Sequence, residues 1–342
     1  TVTTASNSGG GSLPETADSI RFNAPKQFAS QNRAVTTKDY EARVKTIFPN
    51  AKSVQVWGGE DNSTPVYGRV YISISPKTGT TLTASNKTDI ITQLKDFNVA
   101  SITPIIEDVE TTFLQLNINV KYDQKATTKT ADSIKSLVQS TITNFNDNNL
   151  QQFDQMFRHS KFIETVNKVD TAILSNITTV KLHKSFTATT TSTTTYTIGF
   201  NNAFYNPHSG HNSSAGGILV SSGFKVNGDT TNEYFLDEDG EGNVRLYYLA
   251  AGVRTYTNNT QGTIDYTTGT IVLNSLFVTE VSNVDGATST AIRLTITPNS
   301  VDVKPVRNQV LQIDETNTTT TVTADDFDTT SGIGYTTSTS YA

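Results

Sequence analysis

Tyr40, Val44, Ile47 and Phe48 recur at i, i+4, i+7 and i+8, the single apolar stripe of an amphipathic helix. Thr36 and Asp39 stand three residues apart ahead of it as a capping box, and Pro49 stops it, so the spacing predicts a helix over 37–48. Upstream, Pro14 suits a first helical position, and Ile20, Phe22, Ala24 and Phe28 begin an apolar set that Pro25 interrupts, which predicts a short helix and then a loop. Val54 and Val56 alternate with Ser53, Gln55 and Trp57, and Val66, Val70, Ile72 and Ile74 share one face, giving two strands around the turn-rich GGEDNSTP. A helix capped by Asn86 then carries Ile90, Ile91, Leu94 and Phe97. The clearest strand follows, with Leu114, Leu116, Ile118, Val120 and Tyr122 alternating against Gln115, Asn117, Asn119 and Lys121: one face core, the other wet.

From Thr130 a third helix places Ile134, Leu137, Val138, Ile142 and Phe145 at helical spacing. A fourth, capped by Ser160, carries Phe162, Ile163, Val166 and Val169, and strand-like sequence runs on through Ile177, Val180 and Leu182. The faint likeness of HSKFIETVNKV to TKDYEARVKTI is weak as a repeat, because amphipathic helices resemble one another by chance. Past the low-complexity stretch TATTTSTTTYT at 187–197, helical periodicity ceases. Short strand runs follow, separated by turn signals at Asn227-Gly228, Asp239-Gly240, Gly242-Asn243 and Thr268-Gly269. VDVKPVRNQVLQID adds one or two strands, and the polar, repetitive tail from Asp314 is expected not to pack by itself, being either mobile or held by a partner.

The expected fold class is α+β: a mixed helix and antiparallel-sheet N-terminal half followed by a mainly β C-terminal domain. The expected divisions are a flexible linker at 1–13, an α+β domain at 14–125, a second α+β unit at 126–190, a β-rich domain at 191–300, and a strand with a Thr-rich tail at 301–342.

Composition changes the picture of the surface. Thr, Ser and Asn number 59, 30 and 29, together 118 of 342 residues, while charged residues are held to 17%. The strands are therefore solvated by hydroxyls and amides rather than by ions. A net charge of −6 supplies no electrostatic footprint for nucleic acid or for an anionic membrane. The absence of cysteine excludes disulfides, thiolate nucleophiles and cysteine-ligated metals. No apolar run approaches the roughly 18 residues of a spanning helix, so a soluble chain is expected. The chain opens on Thr1 and has its one methionine at Met156, which suggests a piece cut from something longer.

Candidate chemistry is sparse. His208 and His211 lie at i, i+3 in a Gly/Pro/Asn/Ser loop, whereas hydrolytic zinc sites pair histidines at i, i+4 on a helix; a surface loop is the better account. In the run DEDGEGN, Asp237 to Asn243, a glycine follows the second Asp immediately and no glutamate stands at position 12 of a calcium loop, so the run fits a turn between strands. Gly9-Gly10-Gly11 follows no strand, so it is a hinge and not a phosphate cradle. No nucleophile elbow is present. Trp57, Tyr67 and Tyr71 offer a sugar-stacking platform, although aromatics on a sheet are more often core or interface. A carboxylate pair of the glycosidase kind is made in space and leaves no local signature.

Residues 14–44 carry the specific pattern: an acidic helical stretch, then Asn23, Ala24 and Pro25, then Arg33, Ala34, Val35 and Thr36, then Asp39, Tyr40 and Glu41. This resembles the signature of the baseplate J-like family of contractile phage tails and related injection machines. The elements from Val44 to Tyr122 follow the family order, and GTIDYTTGTIVL, Gly262 to Leu273, resembles a strand–turn–strand element of its large wedge subunits, with T-even-type phages nearest in kind. The likeness covers most of 14–300 and leaves the Thr-rich tail outside it.

The resemblance implies a structural subunit of a virion tail baseplate, assembled in the host cytoplasm. Copies would pair as homodimers and link wedges into the inner ring around the tail tube, with other wedge subunits docked on them. It implies no cofactor, no metal, no nucleic-acid or membrane partner and no catalytic residues, so the expectation is a protein that is not an enzyme. The alternative is a β-rich receptor- or glycan-binding tail adhesin, which would more often be elongated and β throughout. A cell-wall hydrolase ranks third.

Overall fold

A computed structural model describes residues 16–29, 31–62, 64–79, 81–212 and 217–325. The chain forms two compact units: Thr1–Thr112 with Asn149–Met156 and Lys304–Gln312, and Phe113–Asn148 with Phe157–Val303 and Ile313–Ala342. The 1–13 linker, with Gly9-Gly10-Gly11, and Pro14 lie outside the described residues.

The first unit begins with α1 (Ala17–Ala29) and α2 (Thr37–Ile47), then β1 (Ala51–Gly58), β2 (Arg69–Pro76), α3 (Ala84–Leu94) and β3 (Thr103–Glu107). Pro25 lies inside α1 and does not end it, contrary to the helix-then-loop expectation. β1 and β2 pair antiparallel, whereas β2 and β3 pair parallel, which the crossover through α3 makes possible. α3 is capped by Thr83, whose side chain accepts from Asn86 N, and its C-cap is Lys95. Asn86 is thus a first-turn residue, and Phe97 falls beyond the helix. Tyr40 and Val44 from α2, Val54 and Val56 from β1, Ile72 and Ile74 from β2, and Ile90 and Leu94 from α3 make one buried cluster.

A later stretch of chain covers the open side of β1. Lys52 Nζ donates to Gln151 Oε1 at 2.7 Å, Phe153 N to Ser53 Oγ at 3.2 Å and Gln55 Nε2 to Asp154 Oδ1 at 3.2 Å. Covering an edge removes a template for unwanted pairing. The return segment adds Arg307 on the Asp61 carbonyl, and Glu110 N donates to Asn308 O at 3.0 Å.

Most of β4 (Glu110–Tyr122) lies in the second unit, followed by α4 (Ala131–Asn149), α5 (His159–Asn167), β5 (Ile173–Thr187), β6 (Thr194–Gly199), β7 (Leu219–Ser221) and β8 (Phe224–Val226). Then come β9 (Asp229–Glu238), β10 (Asn243–Ala250), β11 (Val253–Asp265), β12 (Thr270–Leu276), β13 (Val278–Val281) and β14 (Ala291–Ile296). β15 (Gln309–Ile313) carries the return segment, and β16 (Thr319–Ala324) closes the described chain. Among the described residues no helix follows α5, as the loss of helical period predicts.

In one sheet β4, β5, β14 and β7 are successive antiparallel neighbours, with β16 parallel beside β4. Leu114, Leu116, Ile118 and Val120 are buried in alternation, and Phe145, Phe157 and Phe162 pack ring to ring at 5.2–6.2 Å. The N-cap of α5 is Arg158, without a side-chain cap of its own. Asp302 supplies the carboxylate instead, accepting from His159 N at 2.8 Å and from Arg158 Nη1 at 2.9 Å, where the sequence suggested Ser160. The tail is also not wholly unpacked, because Thr319–Ala324 pairs along six residues of β4.

The second sheet runs β13-β8-β9-β10-β11-β12-β6, every neighbouring pair antiparallel. The β8–β9, β9–β10 and β11–β12 turns fall at the predicted signals, whereas the β10–β11 turn falls at Ala251 and Gly252, which were not among them. Gly269, at φ +69°, lies where a Cβ would meet the Asn202 carbonyl at 2.1 Å, so the β11–β12 turn accepts no side chain there.

Candidate functional site

The motif at 23–41 divides into a folded half and an exposed half. Ala34 is fully buried; its N–H donates to Phe97 O at 2.9 Å and it bridges Asn98 in parallel. Next to it the capping box closes: Thr36 N donates to Asp39 Oδ2 at 2.8 Å, and Asp39 N donates to Thr36 Oγ1 at 3.3 Å. Val35 N reaches the same carboxylate at 3.2 Å. Burial works to raise the Asp39 pKa, yet the Thr36 and Val35 donors and the Arg43 charge outweigh it and hold the carboxyl below its ordinary value. Tyr40 is 1% exposed and its hydroxyl has no hydrogen-bond partner among the described residues; burial raises its pKa. One turn on, the Arg43 guanidinium lies 4.9 Å over the Phe97 ring. Ala34 and Arg43 therefore tie α2 to the chain leaving α3, Thr36 and Asp39 close the start of the helix, and Tyr40 packs into the core.

The other motif positions that are described are exposed, apart from a half-buried Glu41. Ala24 and Pro25 are exposed on α1, and the Asn23 side chain lies outside the described residues. Arg33 Nη2 donates to Gln31 Oε1 at 3.1 Å, and Glu41 pairs with Lys38 at 3.0 Å. Val35 is 64% exposed. No bond-making chemistry follows from this arrangement; it offers a fixed helix and an adjoining outward-facing surface.

One constellation escaped sequence reasoning. Asp237, 1% exposed, accepts from Arg245 Nε at 2.9 Å, Arg254 Nη1 at 2.7 Å and the Tyr256 hydroxyl at 2.8 Å. Arg245 lies 4.4 Å over the Tyr256 ring and Arg254 lies 4.8 Å over that of Tyr247. The partners come from β9, β10 and β11 through the register Arg245↔Asp237 and Tyr247↔Tyr256, which no local pattern reveals. On the opposite face Glu238 takes bonds from Ile218 N, Gly240 N and the Tyr266 hydroxyl. Burial first, and then that bond, push the Tyr266 pKa well above its ordinary value. Such pairing is what buried carboxylates require.

The remaining candidates resolve locally. His211 Nδ1 lies 3.2 Å from His208 Nε2 in an exposed loop, and among the described residues no three His, Asp or Glu side chains gather as a metal site. DEDGEGN is the β9–β10 turn, in which Asp239 Oδ1 accepts from Glu241 N and Asn243 N. Trp57 and Tyr71 stack at 5.8 Å but are both buried, while Tyr67 is exposed apart from them; the three do not form an open platform. Among the described residues no helix is long and apolar enough to cross a membrane.

Comparison with known proteins finds two family matches. Residues 36–107 match the family described as baseplate structural protein gp6, C-terminal domain I, and residues 110–185 match C-terminal domain III of the same protein. Both descriptions are of domains of a baseplate structural protein. The baseplate wedge protein gp6 of Enterobacteria phage T4 is 28% identical to this chain over 174 residues, 51% of this chain. The chain spans about a quarter of that relative, 26% of its length. A solved structure, the anti-feeding prophage (AFP) baseplate, 6-fold symmetrised, aligns over 48% of this chain and 37% of that one. At 10% identity and a TM-score of 0.35 it carries no weight for the fold or the role. The seven-stranded sheet lies outside both matched stretches.

Proposed function

We propose that this chain is a structural subunit of a baseplate wedge that pairs with a second copy of itself and links neighbouring wedges into the inner ring around the tail tube. Other wedge subunits dock on it, assembly takes place in the host cytoplasm, and the chain performs no catalysis. The observation that carries the reading is the tandem of two gp6 C-terminal domain matches over 36–185. In this reading the motif has two tasks. Ala34, Thr36, Asp39 and Tyr40 hold α2 in place, while Ala24, Pro25, Arg33, Val35 and Glu41 belong to the surface offered to other subunits. A Thr/Asn-rich, weakly charged exterior suits contacts that re-form as a ring changes shape.

The test is the solution mass of the isolated chain across a concentration range, followed by mixing with the other wedge subunits. A stable species of twice 37.1 kDa, about 74 kDa, that then binds those subunits is the expected result. A strict monomer that ignores them, together with retardation on immobilised cell-surface polysaccharide, would replace this reading with the adhesin.

A further inference from the structure

The loop that joins β6 to β7 carries two of the four histidines, and the part that holds them is tied down. Phe204 N donates to Tyr266 O at 2.7 Å, Tyr205 N to Thr297 O at 3.1 Å and Gly210 N to Gly240 O at 3.0 Å. Asn206 Nδ2 also donates to Gly240 O, at 3.2 Å, and the buried Asn212 donates Nδ2 to Tyr205 O at 2.8 Å. The Ser209 hydroxyl donates to the Glu241 carboxylate.

Within this stretch His208 and His211 are the two ends of a turn. His211 N donates to His208 O at 3.0 Å, and Gly210, at φ +74°, stands at the third place, where a type II turn needs a positive φ. The turn does for i, i+3 what a helix does for i, i+4, and brings both rings to one side. His211 Nδ1 lies 3.2 Å from His208 Nε2, with the ring planes 89° apart. Tyr205 packs edge to face on the His211 ring at 5.5 Å, and both imidazoles remain exposed.

The neighbours fix where the protons are. His208 Nδ1 lies 3.0 Å from Ser209 O; a carbonyl only accepts, so Nδ1 carries the proton and Nε2 of the neutral ring presents a lone pair. His211 Nδ1–H donates to that lone pair. A ring N–H given to a backbone carbonyl is the support that metal-bound histidines have. The spacing matches as well. Two nitrogens about 2.0–2.1 Å from one tetrahedral ion stand roughly 3.3–3.4 Å apart, and cis neighbours on a square or octahedral ion roughly 2.9 Å; the observed 3.2 Å lies between.

We infer that His208 Nε2 and His211 Nδ1 chelate one divalent transition-metal ion of the kind imidazole prefers, Zn²⁺, Ni²⁺ or Cu²⁺, with water in its other positions. The ion takes the place of the proton between the rings, and that proton moves to His211 Nε2, so both rings stay neutral. Two ligands from the chain make an open site, in keeping with the lack of a third His, Asp or Glu ligand among the described residues. The other histidines are engaged elsewhere: His159 Nε2 lies 2.9 Å from Thr178 O, and His183 is buried with Nε2 on Asp314. The site is independent of the self-association proposed above.

The test is isothermal titration of the full 342-residue chain, made without a histidine tag, with ZnCl₂ in a buffer that does not coordinate metal. Uptake of one Zn²⁺ per chain is expected. His208→Ala and His211→Ala should each weaken it by at least about tenfold, the least that loss of outer support costs a metal site, whereas His159→Ala leaves it unchanged. His208→Gln and His211→Gln, which keep the loop polar, replace the alanine variants if those lower the melting midpoint of the metal-free chain. No uptake, or uptake that survives in the double variant, overturns the site. A single variant that keeps the full affinity overturns the chelate, because the two rings would then act separately.

Discussion

At the scale of single residues, the motif's physics is concentrated in Thr36, Asp39 and Tyr40. Thr36→Ala removes the acceptor for Asp39 N, and the expected cost is about 1 kcal/mol, the usual value of an N-cap, read as a lower thermal midpoint. Asp39 adds a pH signature. Its folded pKa is depressed, so its contribution is complete above the unfolded carboxylate range and is lost as pH falls through the lower folded value. Asp39→Asn should therefore flatten the acid limb of the stability curve, which titration of the unfolding midpoint would reveal. Tyr40→Phe removes a buried hydroxyl that has no partner among the described residues, so stability should hold or rise slightly; a loss above about 2 kcal/mol would place a hidden partner there. Asp237→Ala is the opposite case. It leaves Arg245 and Arg254 facing each other half-buried, and a cost of about 3–5 kcal/mol is expected for breaking a buried pair on one side. Thr36 and Asp39 were legible because a capping box is local. Asp237 was not, because its partners are assembled by strand register.

At the scale of elements, the apolar periods located the helices and strands well, and the boundaries failed where a cap comes from an unremarkable or distant residue. Thr83 and Asn86 stand three apart ahead of an apolar run, and either type caps helices; the structure gives the role to Thr83. Thr83→Ala should thus cost about 1 kcal/mol, whereas Asn86→Ala at an exposed first-turn position should change stability by less than about 0.5 kcal/mol. Comparing the two midpoints decides it, and a reversed order would return the cap to Asn86. Asp302 shows why α5 was misread: its carboxylate meets the helix from more than 140 positions down the chain. Pro25 stays within α1 where a proline normally breaks a helix. β16 was missed because Thr-rich sequence has no apolar alternation, and its order comes from β4 and from Asp314, whose carboxylate accepts from His183 Nε2 and from Asn317 N in the turn before it. Asp314→Ala should accordingly speed amide exchange in 319–324 more than in the β4–β5 pairs, as measured by exchange mass spectrometry.

At the scale of the whole molecule, the two units are not successive stretches of sequence. The first takes Thr1–Thr112, then Asn149–Met156, then Lys304–Gln312, and the second takes what lies between and after. A reading along the chain finds changes of composition and period; it has no signal for a segment that returns to a fold begun some two hundred residues earlier. A specific expectation follows for the fragment 36–185, which holds both gp6 domain matches. That fragment keeps β1 and its cover at Lys52, Ser53 and Gln55 but loses the Arg307 and Asn308 contacts on Asp61 and Glu110. It also leaves β5 without β14 and β4 without β16, exposing two long apolar-faced strands as open edges. It should be recovered aggregated or as a chain without cooperative unfolding, while the 342-residue chain melts cooperatively. Circular dichroism melts of the two preparations make the comparison. A sharply melting, monomeric 36–185 would mean that the returning segments are accessory to the matched domains and that their stability is local.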